Sequence, residues 1–388
     1  MKSYIKRYAR NFDYPLFFVY LALCLFGLVM IYSASMGWSV MRYGWEPDRF
    51  YEQQKMNLAL SIPAFLLAAF FPYKHYKSRF MMQLMLLVMF TLLFLVHFIG
   101  IGGASGSQSW INLGVGNIQP SEVAKLIIVL YFAGIFTKKH ENGTLNQLNE
   151  SVGPPLLVLF LVFVSIMMET DIGNTMIISF VAISVIAASG IKFKSFSKII
   201  GLIGLVITMG MVAIYFMKDT LLTPHRRGRL EAFFNPFDYE LGYGYQIVNG
   251  YIAIGSGGLK GLGLGNSNQK FGYLPEPHTD FIMAIIAEEL GLIGVLIVLC
   301  GLFFIVFKGI SIAISTRDPQ ARMIAAGIAS IIGFQTFVNL GGMLGIIPLT
   351  GVTLPFISYG GSSIIILSAA IGILINVSMF VKHEKTLQ

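Results

Sequence analysis

The run LPEPHTDFIMAIIAEELG at residues 274–291 is the most informative stretch of the chain. It leads a cluster of ionisable groups without a break into an apolar segment. A charged side chain in the hydrocarbon layer costs about 3 kcal/mol or more unless it is paired, solvated in a cavity or used for function. The acids of this run therefore predict both a membrane helix and a functional site.

The composition extends this prediction to the whole chain. Of its 388 residues, 55% are hydrophobic and only 12% are charged, and the mean hydropathy is +0.73. A soluble domain carries about 25% charged residues. Apolar runs near the length of about 20 residues that crosses the hydrocarbon layer recur about ten times, at 14–34, 54–71, 80–99, 121–136, 155–168, 173–190, 197–216, 280–307, 322–345 and 355–381.

These spans are predicted to be α-helices, because in lipid a helix satisfies its backbone polar groups within one segment. The expected fold class is an all-α polytopic membrane protein with about ten transmembrane helices. We expect residues 1–388 to form a single transmembrane domain, within which residues 217–279 form one large extracellular loop. This loop is rich in aromatic residues, which argues against disorder.

The distribution of Lys and Arg predicts the orientation. With the N-terminus inside, 17 of the 27 basic residues lie on the cytoplasmic side and nine outside, while Lys125 lies within a span. Cytoplasmic loops carry an excess of Lys and Arg, so both termini are predicted to be cytoplasmic in a multi-pass protein of the cell membrane. The net charge of +8 is mostly this bias, and we expect no nucleic-acid partner.

Three arginines of the outward loop, Arg226, Arg227 and Arg229, lie close to the outer headgroups. A guanidinium fork can bind phosphate oxygens in pairs, so one interpretation is binding of a pyrophosphate or a headgroup. The other is interfacial anchoring by basic residues.

A glycine-rich run at residues 255–266 resembles a nucleotide loop only superficially. Lys260 is not followed by Ser or Thr, and Asn266 occupies the position of the last glycine of the dinucleotide fingerprint. We expect a flexible or tightly turning backbone beside the membrane instead.

Ionisable groups also interrupt one central span. Glu122 and Lys125 are spaced i, i+3, so they share a helix face, and Ser121 is a plausible cap of that helix. Lys125 could form a structural ion pair with Glu122, or it could hold a phosphate of a lipid-linked substrate.

Asp280 is the strongest candidate for chemistry. It lies at the predicted outer boundary of a helix that begins at Thr279 or Asp280, and Glu288 follows on the same stripe. A carboxylate there can accept a proton from a bound hydroxyl or hold a divalent cation, Mg²⁺ or Mn²⁺; the alternative is a helix-capping acid without chemistry. His278 is a candidate base by its intrinsic pKa, and the alternative is a hydrogen-bonded spacer. Glu169-Thr170-Asp171 forms a very short outward turn.

Several short strings occur in a fixed order over most of the chain. They are QPSE at 119–122 with Lys125, NPF at 235–237, GLGNS at 263–267 with QK at 269–270, LPE at 274–276 with HTDF at 278–281, EELG at 288–291, and LPFISYGGSS at 354–363. Together these strings resemble the SEDS family, named for shape, elongation, division and sporulation. The combination is specific, although each piece alone is not.

The resemblance implies a ten-helix SEDS-type bundle that acts as a peptidoglycan glycosyltransferase. It would polymerise lipid II at the outer face of the cytoplasmic membrane. Asp280 would be the catalytic residue, a base or an acid that orients a metal ion, with Lys125 and Glu122 in the central cavity. The candidate substrate-binding residues are then Lys125, Glu122, Arg226, Arg229, Lys270, His278 and Glu288.

Among the branches of the family, the strings NPF and LPFISYGGSS look more like the division branch than the elongation branch. The division branch implies synthesis of the septal wall at the division site. It also implies a monofunctional class B penicillin-binding transpeptidase and other division membrane proteins as partners.

Only one essential acid is needed if the reaction inverts the anomeric centre, because a pyrophosphate leaves without protonation by a second carboxylic acid. Two rival functions stay open. A flippase would move lipid-linked precursor across the membrane, which favours an internal repeat that the sequence does not display. A scaffold would only position a partner enzyme. Within the family, an elongation polymerase is a further alternative.

Overall fold

The computed structural model describes residues 10–102, 108–112, 114, 116–146, 153–201, 204, 228 and 231–386. These residues form a bundle of α-helices with one short hairpin, so the all-α polytopic fold is confirmed. The helices are α1 Tyr14–Tyr43, α2 Arg49–Phe70, α3 Arg79–Ile99, α4 Pro120–Glu141, α5 Gly153–Met168, α6 Ile172–Ala188, α7 Tyr245–Gly257, α8 Ile282–Ser315, α9 Pro319–Met343 and α10 Gly361–Thr386.

Smaller elements connect these helices. The strands β1 Ile111–Asn112 and β2 Asn117–Ile118 pair antiparallel, and Tyr73–Lys77 and Pro236–Tyr239 are 3₁₀ helices. Within the described residues, six helices are long and apolar enough to cross a membrane, namely α1, α3, α4, α8, α9 and α10, while α5 and α6 are shorter apolar helices. Helix α2 covers the predicted span at 54–71. The span predicted at 197–216 lies mostly outside the described residues.

Both ends of the described chain meet at one end of the bundle, which we call the Asp13 end. Lys382 Nζ lies 2.9 Å from Asp13 Oδ2, and the Tyr73 hydroxyl donates to Asp318 Oδ2 at 2.5 Å. Basic residues predicted to be cytoplasmic lie at this end, among them Lys74, Lys77, Lys308 and Lys382. The N-termini of α2, α4, α6, α8 and α10 lie at the opposite end, which we call the Asp280 end.

Helix α4 occupies the centre of the bundle. Sixteen of its side chains are buried, among them the charged Glu122 and Lys125. Helices pack closely around it where small residues permit: a Cβ atom on Gly372 of α10 would meet the Phe65 carbonyl oxygen of α2 at 2.5 Å. Close backbone approach through small residues is typical of membrane helix packing.

Gly291 divides α8 into two halves, 282–290 and 292–315. Its φ of 63° and ψ of −161° are not helical and lie in a region that glycine adopts readily. The break frees backbone groups on both sides, and a neighbouring segment, residues 258–273, pairs with them. We call this segment the glycine strap.

The glycine strap explains the glycine-rich run. The amide groups of Leu262 and Gly263 each donate at 2.9 Å to the carbonyl oxygens of Glu288 and Glu289, respectively. A Cβ atom on Gly261 would lie 2.2 Å from the Glu289 carbonyl oxygen, and Gly261 has a φ of 78°. The glycines therefore permit close backbone contact within the protein, in agreement with the prediction of a tightly turning backbone.

Helix α7 lies inside the segment predicted as an outward loop, and it packs on the first half of α8. A Cβ atom on Gly257 would meet the Ala287 carbonyl oxygen at 1.8 Å. The loop therefore contains a helix and the glycine strap, and both of them support the start of α8.

Candidate functional site

Asp280 lies at the N-terminal end of α8 and is partly exposed. The helix begins at Ile282 with Phe281 as its N-cap residue, so the predicted start at Thr279 or Asp280 is wrong by two to three residues. Helix starts predicted from sequence commonly shift by this much. Asp280 consequently belongs to the loop before the helix, and it does not continue the helical stripe that ends at Glu288.

The Asp280 loop is fixed mainly through its backbone. Asn339 of α9 donates from Nδ2 to the Asp280 carbonyl oxygen and to the Val352 carbonyl oxygen, each at 2.8 Å. The Ser358 hydroxyl donates to the Thr279 carbonyl oxygen at 2.5 Å. The Thr279 hydroxyl lies 3.0 Å from Asp280 Oδ1. This arrangement holds the peptide rigidly and leaves the carboxylate at a partly open surface.

His278 is buried, with 3% of its surface exposed. Its ring packs at 4.1 Å from the Phe50 ring and 5.5 Å from the Tyr359 ring. Burial lowers the pKa of His278 to about 3, so the imidazole is neutral at pH 7 and is a weak base. Its buried Nδ1 atom has no hydrogen-bond partner among the described residues, so the structure does not show the hydrogen-bonded spacer, and contact of His278 with a substrate stays a prediction.

Lys125 forms a buried ion pair in the centre of the bundle. Its Nζ lies 2.8 Å from Glu122 Oε1 and donates at 2.8 Å to Gln335 Oε1 of α9. The Ser363 hydroxyl of α10 lies 3.3 Å from Glu122 Oε2. The structural ion pair predicted for Lys125 is present and joins three helices, whereas its contact with a substrate phosphate stays a prediction.

Ser121 does not cap α4, contrary to the sequence prediction. The N-cap residue is Gln119, followed by Pro120 in the first turn. The Ser121 hydroxyl lies 3.4 Å from Asp171 Oδ2 on the turn before α6. Proline fits the first helical position because the missing amide would have no helical partner there, and this shifts the cap by two residues.

Glu288, Glu289 and Lys270 form a sealed clamp between α8 and the glycine strap. Lys270 Nζ lies 2.9 Å from Glu289 Oε1, and both side chains are completely buried. The Ser33 hydroxyl of α1 contacts the same carboxylate at 2.7 Å. Glu288 accepts hydrogen bonds from the Ser267 hydroxyl and, at 2.9 Å, from the Asn268 amide. The clamp holds the strap in place; substrate contacts of Glu288 and Lys270 stay predictions.

The predicted arginines Arg226, Arg227 and Arg229 lie outside the described residues.

A polar cluster at the N-termini of α4 and α6 was not anticipated from the sequence. Asp171 Oδ2 accepts from Gln119 Nε2 at 3.0 Å and from Asn174 Nδ2 at 2.8 Å, and Asp171 Oδ1 accepts from the Asn174 amide at 3.0 Å. The Gln119 amide donates to the Ser362 hydroxyl at the start of α10. The sequence displays the two acids of the outward turn 169–171. It does not reveal the contact of Asp171 with Gln119, because Gln119 is distant in sequence.

Several helix N-termini therefore converge at the Asp280 end. The N-terminus of a helix carries a partial positive charge that favours anions, and the amides of the first turn can bind phosphate. These N-termini make this end of the bundle suited to an anionic ligand at the membrane boundary.

The residues present bear on the expected metal ion as well. In the described part of the chain, no group of three or more His, Cys, Asp or Glu residues is placed to hold a metal. Mg²⁺ is commonly bound by one or two carboxylates together with substrate phosphates and water. Asp280 fits that manner of binding, in which the protein supplies a single ligand.

The chain is similar to known proteins over nearly its whole length. The profile of a family described as "Cell cycle protein", which covers FtsW, RodA and SpoVE, matches residues 14–383. A protein of Bacillus subtilis (strain 168) named "Probable peptidoglycan glycosyltransferase FtsW" is 44% identical over 382 residues, which cover 98% of this chain and 94% of that protein. Stage V sporulation protein E of the same organism is 37% identical over 96% of this chain and 98% of its own length.

Solved structures share the fold. One is a chain in the structure described as "Structural coordination of polymerization and crosslinking by a peptidoglycan synthase complex". It superposes on this chain with a TM-score of 0.71 at 23% sequence identity, and the match covers 95% of this chain and 98% of that chain. The rod shape determining protein RodA of Thermus thermophilus has a TM-score of 0.65 at 23% identity, covering 97% of this chain and 98% of that chain. At this identity, the likeness concerns the fold alone.

Proposed function

The chain belongs to the cell cycle protein family of FtsW, RodA and SpoVE and is a peptidoglycan glycosyltransferase, and we propose that its substrate is lipid II, polymerised at the outer face of the cytoplasmic membrane. The observation that carries this proposal is Asp280, a partly exposed carboxylate on a rigidly held loop at the end of the bundle away from the basic turns. Both chain termini are cytoplasmic in this arrangement.

Asp280 acts on the acceptor in the proposed reaction. Its carboxylate accepts the proton of a sugar hydroxyl as that oxygen attacks the anomeric carbon of the lipid-linked donor, with inversion. A positioned general base typically contributes about 10²- to 10⁴-fold to a rate. The hydrogen bond from the Asn339 side chain to the Asp280 carbonyl oxygen fixes this residue relative to the bundle. Such catalysis requires a positioned carboxylate.

Negative charge grows on the leaving pyrophosphate during the reaction. The convergent helix N-termini at the Asp280 end stabilise that charge, and Arg226 and Arg229 are proposed to approach it from the outward loop. A divalent cation, Mg²⁺ or Mn²⁺, bound by Asp280 would supply further neutralisation when present. Lys125 serves the bundle through its ion pair with Glu122, and its contact with a substrate phosphate is part of the proposal.

The division branch of the family is favoured over the elongation branch. The relative named FtsW is 44% identical to this chain over nearly its whole length. We therefore propose synthesis of septal peptidoglycan at the division site. The proposed partners are a class B penicillin-binding transpeptidase and other division membrane proteins.

A reconstituted assay tests the function against its rivals. The whole protein is placed in liposomes together with the transpeptidase, Mg²⁺ and labelled lipid II, and glycan chains are separated on a gel. We expect chains longer than the starting disaccharide with the wild type and none with Asp280→Asn. Transfer of lipid II between leaflets without chains would favour the flippase. Chains made equally by Asp280→Asn would favour the scaffold, with the partner doing the chemistry.

A further inference from the structure

Glu169 is a buried acid that the proposed chemistry does not use. It lies in the turn between α5 and α6, and only 5% of its surface is exposed. Both carboxyl oxygens, Oε1 and Oε2, are buried without a hydrogen-bond partner among the residues that the structure describes. Buried polar groups are nearly always hydrogen-bonded, and an exception calls for an explanation.

The neighbouring residues do not provide the missing donors. The side chains of Gln119 and Asn174 donate their hydrogen bonds to Asp171, two residues after Glu169. The Asn174 side chain, which is 3% exposed, also has an unpartnered Oδ1 atom. This turn therefore contains three buried acceptor oxygens, on two residues, to which the described part of the chain donates no hydrogen bond.

The turn is strained as well as unsatisfied. Thr170 has a φ of 62°, a conformation that a β-branched residue rarely adopts. Residues in such conformations cluster at sites where ligands bind or chemistry occurs. Burial, together with the nearby Asp171 carboxylate, raises the pKa of Glu169 to about 8, so at neutral pH the group is mostly an uncharged acid.

The turn adjoins the Asp280 loop through one intermediate segment. A Cβ atom on Gly173 would lie 2.5 Å from Val352 Cγ2, so the start of α6 rests directly on residue 352. The Val352 carbonyl oxygen and the Asp280 carbonyl oxygen accept from the same Asn339 amide group, each at 2.8 Å. Glu169 is thus placed at the same end of the bundle as the proposed catalytic residue.

We propose that Glu169, with Asn174 beside it, forms a second saccharide subsite that receives hydroxyl or amide N–H groups of the lipid-linked sugar. The sugar supplies the donors that these buried oxygens lack, and an uncharged acid suits an uncharged ligand. This proposal rests on the proposed function, because it names a contact of the same substrate. Glu169 binds and orients the sugar and takes no part in the transfer of the proton at Asp280.

The test compares two replacements of Glu169 in the full-length protein with its transpeptidase partner. The leucine side chain of Glu169→Leu has a volume similar to that of glutamate but no polar atoms. The side chain of Glu169→Gln keeps a carbonyl oxygen as a hydrogen-bond acceptor and has an NH₂ group as a donor. We measure KM and kcat for lipid II polymerisation, and the melting temperature of each purified protein. Glu52→Gln, a change of an acid on the exposed surface at the same end, is the control.

We expect Glu169→Leu to melt at or above the wild-type temperature, because it removes unpaired buried oxygens. Its KM should rise about 2- to 10-fold, the effect of one lost neutral hydrogen bond, with a smaller change in kcat. Glu169→Gln should restore KM to within about twofold of the wild type.

Two results would overturn the proposal. A folded Glu169→Leu with wild-type KM would mean that the carboxyl does not contact the sugar. Failure of Glu169→Leu and of the more flexible Glu169→Met to fold would mean that the carboxyl has a structural partner within the chain. If the wild type itself makes no chains, the proposed function has failed and not merely this subsite.

Discussion

The acids at the two ends of the first half of α8 are in opposite situations. Glu288 and Glu289, at its C-terminal end, are completely enclosed and receive a lysine, hydroxyl groups and an amide. Asp280, before its N-terminal end, is partly exposed and is held mainly through its backbone. Both sets of acids interrupt the same apolar run, yet Glu288 and Glu289 are enclosed within the fold, whereas the carboxylate that we propose for catalysis is partly exposed. The difference in exposure is what distinguishes the structural acids from the proposed functional one.

The clamp gives the largest expected effect. Lys270→Ala removes the cation and leaves the Glu289 carboxylate buried and unpaired, which typically costs about 3 to 5 kcal/mol. The melting temperature in detergent should fall sharply, with loss of folded protein. The double variant Lys270→Met, Glu289→Leu should recover much of that loss, because neither charge is then buried. A single variant as stable as the wild type would place Lys270 among the functional residues instead.

The glycine strap tests whether the clamp depends on close backbone contact. Gly261→Ala introduces a Cβ atom 2.2 Å from the Glu289 carbonyl oxygen at a φ of 78°, so we expect a loss of about 2 kcal/mol. Gly255→Ala is the matched control, since its Cβ atom meets nothing within 4 Å and lies in helix α7. There we expect a gain of about 0.5 to 1 kcal/mol. The melting temperatures of the two variants test this expectation. Equal changes in melting temperature would contradict the close contact at Gly261.

Glu169 extends the comparison to an acid that is buried but not sealed by partners. Its pKa rises from an ordinary 4.5 to about 8 through burial and the nearby Asp171. Between these values the folded protein keeps a proton that the unfolded chain has released, so stability falls as pH rises. Between pH 7 and 8 the loss should be about 1 kcal/mol. Melting curves should show a shallower pH slope for Glu169→Gln; parallel slopes would place the pKa of Glu169 near its ordinary value.

The membrane spans were predictable because each is encoded locally. An apolar run long enough to cross a bilayer identifies a helix from a single segment, and α1, α3, α4, α8, α9 and α10 follow those runs. Asp280 could be singled out as a candidate for the same reason. An ionisable residue within an apolar stretch is conspicuous without any knowledge of its neighbours.

The clamp was not predictable from the sequence. Glu288 and Glu289 contact residues of the glycine strap about 20 positions earlier in the chain, and these contacts depend on the break of α8 at Gly291. The spacing of Asp280 and Glu288 predicted that they share one helical stripe. This prediction was wrong because the helix begins at Ile282, after Asp280. The unsatisfied state of Glu169 was also hidden. Lack of a partner is a property of the packed structure, whereas the outward turn itself was visible in the sequence.

The polymerisation rate of Asp280→Asn, in the purified complex with lipid II and Mg²⁺, distinguishes a catalytic carboxylate from a structural one. The asparagine keeps the size of the side chain, and the hydrogen bond from Asn339 to the backbone carbonyl oxygen of residue 280 is retained, so the melting temperature should match that of the wild type. We expect a rate at least about 100-fold lower. A folded Asp280→Asn protein that polymerises lipid II at the wild-type rate would contradict this expectation.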